Sequence, residues 1–178
     1  MNDFKNLIDD VKELSELFEQ KIIFIGGIAT YLYCIENELP EETSHDANFM
    51  ISDCDYIDLK LLYNDDLEEN NRLQKSQIII NGIEYDVYKG SSSSLLFSYD
   101  ELAKNAVLLN NISIPALEHL LCLKIAAYDN RRLSKKGDKD ARNIIKIVDM
   151  INRKEKIDYT LLSNLSTDIK FNLILNLE

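Results

Sequence analysis

Apolar residues recur every three or four positions from the start of the chain, at Phe4, Leu7, Ile8, Val11, Leu14 and Phe18, with charged residues between them. That spacing lines one face of an α-helix and predicts an amphipathic first helix packed on a sheet. The period then changes. Ile22 to Ile25 is a continuous apolar run of strand length, and after Gly26-Gly27 the helical spacing returns as far as Ile35. Glu36 to Ser44 is polar and contains Pro40, which predicts a connecting loop. In the strand predicted next, Asp46, Asn48 and Met50 share one face, read as polar, and Ala47, Phe49 and Ile51 the opposite, core face. Asp53 to Asp66 is acidic and mixed in pattern, with a short helix predicted around Tyr56 to Tyr63.

Ile78-Ile79-Ile80, Asn81-Gly82 and Ile83 to Tyr88 carry the clearest local signal: two alternating arms joined by the dipeptide preferred in two-residue hairpin turns. Alternation puts Glu84, Asp86 and Tyr88 on one face of the second arm. Gly90 to Ser94 reads by composition as a flexible loop. A short helix around Tyr99 to Asn105 and a second hairpin, Val107 to Leu109 and Ile112 to Ile114 across Asn110-Asn111, complete the sheet region. From Pro115 the pattern is helical to the end. Leu117, Leu120, Leu121, Lys124 and Tyr128 form one stripe, and Asp140, Ile144, Ile147, Val148 and Ile151 form the stripe of a helix over Asp138 to Ile151. Arg131 to Gly137 reads as a basic loop between them, and Tyr159 to Leu165 and Thr167 to Leu177 as two closing helices. The expected class is α+β: a mixed β-sheet with flanking helices over residues 1–114, followed by a C-terminal helical bundle over 115–178 packed on that core, either as an extension of it or as part of one continuous domain. No internal repeat is present.

With 178 residues the chain is long enough to bury a sizeable core. A formal charge of −11 argues against a broadly basic nucleic-acid surface but leaves room for a local basic patch. Cys34, Cys54 and Cys122 are odd in number, far apart and without metal-like spacing, so reduced thiols in a cytoplasmic protein are expected. No stretch has the length and apolarity to cross a bilayer, and no membrane association is expected.

Strand, glycine turn, helix and carboxylate-bearing strand form a layout suited to phosphate. Paired glycines let the backbone approach a ligand, and free amides at a helix start meet negative charge. Asp46 and Asp86, on two predicted strands, are candidates to hold a divalent ion through oxygen, with Asn48 as a neutral third donor. Thr30 and Ser44 suit phosphate contacts or local capping equally. Lys124 and Asp140 each interrupt an apolar stripe, so burial requires that they meet each other or face a polar cavity. Arg131 to Lys139 is the strongest positive cluster in an acidic chain, suited to triphosphate, to an RNA backbone, or simply to solvent. His45 and His119 have no partner pattern; His45 is expected on the face opposite Asp46.

Gly26-Gly27, then Ser44-x-Asp46-x-Asn48, then a later acidic strand at Asp86, resembles the nucleotidyltransferase superfamily with the DNA polymerase beta-like fold, and in particular the AbiE-type nucleotidyltransferases of bacterial defence and toxin–antitoxin systems. Leu117-Glu118-x-x-Leu121-x-x-Lys124, then Arg131 and Lys139-Asp140, match the order and spacing of that type's nucleotide site. The resemblance covers roughly residues 20 to 150. It implies a nucleoside triphosphate (NTP) substrate with Mg2+ or Mn2+ as cofactor, a metal and catalytic set of Asp46, Asn48 and Asp86 helped by Asp140, and nucleotide contacts from Gly26, Gly27, Ser44, Lys124 and Arg131. It further implies transfer of a nucleoside monophosphate to a hydroxyl on RNA, protein or a small molecule, and a toxin–antitoxin partner. One departure bears on catalysis: the pattern has an aspartate where this chain has Asn48. The alternative expectation is therefore a catalytically impaired homologue that acts by binding or regulation.

Overall fold

The computed structural model describes residues 2–41, 43–44, 46–64, 66–154, 158 and 161–162, with 2–5 described by backbone alone. Seven strands form one mixed sheet in the order β3-β4-β5-β2-β1-β7-β6. The central strands are β1 (Ile23–Ile25), β2 (Asp46–Ile51) and β5 (Ile83–Lys89). β2 runs antiparallel to β1 and parallel to β5, and β1 runs parallel to β7 (Ile112–Ile114). β3 (Leu67–Asn70) and β4 (Lys75–Ile80) extend one side of the sheet, and β6 (Val107–Leu109) closes the other.

Both predicted hairpins form. Asn81 and Gly82 have φ of 53° and 80°, and Asn110 and Asn111 have 50° and 63°. Positive φ at both central positions is the turn geometry that follows the twist of paired strands, and asparagine and glycine tolerate it best. Phe24 pairs with Phe49 across β1 and β2, their rings 5.5 Å apart, and Phe49 meets the Tyr85 ring of β5 at 6.1 Å. This aromatic ladder is fully buried and fixes the register of the central strands, because a one-residue slip would turn it to the opposite face.

Helix α1 (Asn2–Leu17) buries Leu7, Val11 and Leu14 as its spacing predicts, followed by buried Phe18. α2 (Gly26–Glu36) leaves the sheet directly from β1. α3 (Asp53–Leu62) and α4 (Tyr99–Lys104) each start at a serine, Ser52 and Ser98, whose side chain accepts an amide of the first turn. α5 (Leu117–Arg131) and α6 (Lys135–Asn152) pack on each other as a pair, and the residues of the α6 stripe are all buried.

Three expectations change. The basic segment is not a loop to Gly137: Ser134 accepts the amide of Gly137 and starts α6 at Lys135, three residues earlier than the apolar stripe suggested. The Gly90–Ser94 loop is held down, with Ser91 donating to Asp53 and Ser92 and Ser93 to Gln74. Met50 is buried, so only the first half of that β2 face is polar. The expectation for His45, and both closing helical patterns except Leu161 and Leu162, lie outside the described residues.

Candidate active site

The register of the sheet brings the predicted polar groups together. Asn48 lies opposite Ile25 of β1 on one side and opposite Asp86 of β5 on the other. Asp46 is opposite Glu84, two residues away along the same strands. Above this edge a cavity of about 350 Å³ is lined by Gly26, Gly27, Ser44, Asp46, Asn48 and Asp86 from the sheet half, and by Lys124, Arg131 and Asp140 from the helical pair. Its size falls in the range of small-molecule sites. All nine residues expected at the site from sequence therefore border one cleft.

Gly26 has φ of +68°, a conformation that costs a side-chain-bearing residue roughly 1–2 kcal/mol. It turns the chain from β1 into α2. A Cβ at Gly27 would lie 2.9 Å from the Ser44 hydroxyl, so the glycine lets the segment before β2 close on the start of the helix. Thr30 and Ser44 are engaged locally: Thr30 Oγ1 donates to the Gly26 carbonyl at 2.8 Å, and Ser44 Oγ donates to Asp46 Oδ1 at 2.8 Å.

Lys124 and Asp140 meet. Lys124 Nζ donates to Asp140 Oδ1 at 3.2 Å, and Arg131 Nε donates to the other oxygen at 2.6 Å. The lysine and aspartate side chains are 6% and 3% exposed, whereas Arg131 is 42% exposed. Burial pulls the Lys124 pKa down from its ordinary value, against the pull of Asp140, while the hydrogen bond to Asp140 raises that of Arg131. The pair is at once a buried bridge and part of the cavity wall.

Lys75 is the principal site residue that sequence reasoning missed. Its Nζ donates to both oxygens of Asp86, at 2.6 and 2.7 Å, and Gln77 Nε2 donates to Asp86 Oδ1 at 3.0 Å. The signal was present: continuing the Asn81-Gly82 hairpin back from Ile78 puts Gln77 opposite Asp86, with Lys75 two residues further on the same face. Tyr88, Lys136 and Lys139 also border the cavity. Burial, reinforced by Asp86, pushes the Tyr88 phenol up to about 12, so it stays a hydrogen-bond donor at neutral pH. Lys136 Nζ lies 3.8 Å from Asp46 Oδ2, and Lys139 Nζ donates to the Thr43 carbonyl.

Magnesium takes oxygen ligands, commonly one or two carboxylates together with substrate phosphates. Asp46, Asn48 and Asp86 are of that chemical type. However, both oxygens of Asp86 are closed by Lys75 and one oxygen of Asp46 by Ser44, so the set as folded does not fit a divalent ion. Among the described residues, no group of three or more His, Cys, Asp and Glu side chains is placed to hold a metal.

The chain resembles an antigenic nucleotidyltransferase-like protein from Paracoccidioides brasiliensis, with a TM-score of 0.57 at 18% identity over 98% of this chain and 93% of that one. The fold is that of a nucleotidyltransferase. Megavirus polyadenylate synthase superposes on this fold with a TM-score of 0.60 at 15% identity; the match takes in 84% of this chain and 32% of the larger viral one. No family model matches the sequence, and no curated protein does. The likeness is one of architecture, spread over most of the chain. Among the described residues, no helix is long and apolar enough to cross a membrane.

Proposed function

We propose that this protein binds a nucleoside triphosphate in the cleft between the sheet and the α5–α6 pair, with the phosphates against Gly26, Gly27, Lys124 and Arg131. The observation that carries the reading is the charge of the cleft. Five cationic side chains border it, Lys75, Lys124, Arg131, Lys136 and Lys139, against three carboxylates, Asp46, Asp86 and Asp140, in a chain whose formal charge is −11. A local positive field in an acidic molecule selects a small, highly charged anion over an extended polyanion, which the surrounding negative charge repels.

Two outcomes at this site were expected from sequence: transfer of a nucleoside monophosphate to a hydroxyl of RNA, protein or a small molecule with release of pyrophosphate, or binding by a catalytically impaired homologue. Clamping both the attacking and the leaving oxygen takes two metal ions. Asn48 removes one carboxylate from the expected donor set and Lys75 occupies another, at Asp86. These two residues favour the binding reading. The match of Leu117, Leu121, Lys124, Arg131 and Asp140 to the AbiE-type pattern supports a place among toxin–antitoxin-associated relatives, with a partner protein as the target of regulation.

Isothermal titration calorimetry with each of the four NTPs tests binding; absence of heat with all of them removes the nucleotide site. Incubation with radiolabelled NTP separates the two outcomes. Incorporation of label into RNA or protein by the wild-type chain would establish transfer and exclude the binding-only reading.

A further inference from the structure

We infer that Lys75 is a built-in counter-ion that takes the place of a divalent metal, so that this cleft binds nucleotide without one. The inference rests on the nucleotide-binding reading above and specifies how that site is neutralised.

In a carboxylate site for phosphoryl chemistry, the ion does two things: it cancels the repulsion between acidic side chains and phosphate, and it bridges them. Here Lys75 already performs the first. Its ammonium contacts both Asp86 oxygens, and the two side chains are 16% and 19% exposed, which shields the pair from competing water. The position is dictated by the hairpin: with Gln77 opposite Asp86, Lys75 emerges one pleat further along the same face and reaches back diagonally. Gln77 braces the carboxylate from the side. At the neighbouring strand Asn48, directly opposite Asp86, brings no negative charge. Asp46 is left facing Lys136, with Ser44 donating to its other oxygen. Each of the two sheet carboxylates that border the cleft, Asp46 and Asp86, thus has its own cation, and the position where an aspartate would require a metal holds a neutral amide. Lys75 and Asn48 are complementary changes: an ammonium on Asp86 substitutes for a metal only where the next donor carries no charge.

The test is calorimetric titration of the full chain with ATP and with GTP, in EDTA and in excess Mg2+, alongside Mn2+ electron paramagnetic resonance. The wild-type dissociation constant in EDTA is expected within about threefold of that in Mg2+, and Mn2+ to show no protein-bound signal. Lys75→Met keeps the side-chain length and removes the charge. It should weaken binding in EDTA by about tenfold, equivalent to about 1.4 kcal/mol, and Mg2+ should restore it because Asp86 is freed. Lys75→Arg should keep metal-free binding, and Lys75→Met combined with Asn48→Asp should bind Mn2+. Wild-type binding that requires Mg2+, or a Mn2+ signal in the wild type, overturns the inference and leaves the nucleotide site standing. No binding of either nucleotide under both conditions, with none of UTP or CTP, overturns the site itself. Should Lys75→Met fail to fold, the wild-type comparison decides alone.

Discussion

Asp140 neutralises two cations at once, and its replacement is the most costly single change foreseen in the cleft. Asp140→Asn leaves Lys124 buried without a counter-charge, and removing one partner of a buried pair typically costs about 3–5 kcal/mol. Lys124→Met should cost clearly less, since Arg131 still balances the aspartate. Urea midpoints of the two variants provide the comparison; equal losses would show that the bridge does not act as described. His119 makes a different residue-level prediction. Its ring packs edge-on against Phe97 at 4.8 Å, its Nδ1 is buried without a hydrogen-bond partner, and burial lowers its pKa from the ordinary 6.5. The unfolded chain therefore takes up the proton first. Stability attributable to this group is complete above the unfolded value and declines as pH falls through it toward the lower folded value. The drop in denaturation midpoint between about pH 7.5 and about pH 5.5 should be smaller in His119→Gln than in the wild type. At this scale the sequence was informative about charge in apolar stripes: Lys124 and Asp140 were legible because burial forces such residues to find partners. Lys75 has no such local oddity, being an isolated lysine at the start of a strand, and becomes legible only when the register of the Asn81-Gly82 hairpin is carried back to it.

Among the elements, the α5–α6 junction is the least forgiving. A Cβ at Gly137 would lie 2.8 Å from the Arg132 Cα and overlap the Arg131 carbonyl oxygen, both of them backbone, so nothing nearby has the freedom to yield. Gly137→Ala should destabilise the fold by about 1–3 kcal/mol, the usual cost of overpacking. It should also weaken nucleotide binding, because the first two turns of α6 carry Lys136, Lys139 and Asp140 to the cleft; far-ultraviolet circular dichroism on melting and calorimetry report the two losses separately. The same junction explains an error of sequence reading. Gly137 between Lys136 and Asp138 looks like a loop residue, and helices are recognised by their apolar stripe, which begins only at Asp140. The turn before it is set by the Ser134 cap and by close packing on α5, neither of which has a period. Strands with a turn signal, such as the two hairpins, were legible for the opposite reason. β3, Leu-Glu-Glu-Asn in sequence and mostly exposed, is paired along one side only and shows no alternation to read.

For the whole molecule, the contrast between an acidic exterior and a cationic cleft gives a further expectation. Raising salt from about 0.1 M to about 1 M shortens the screening length from about 10 Å to about 3 Å and should weaken nucleotide binding several-fold, since Arg131 and Lys136 are substantially exposed. Affinity unchanged across that range would place the ligand elsewhere. We propose that residues 1–114 and 115–178 act as one unit, because neither half encloses the cleft alone. A last consequence concerns the segment that leads into β2. Two lysines of α6 fasten it, Lys139 at the Thr43 carbonyl and Lys146 at the Pro40 carbonyl. Any amino acid supplies a carbonyl, so the letters of this stretch are free to drift while their number is not: adding or deleting a single residue would shift the rivets out of step with the helix and drag Asp46 along with them.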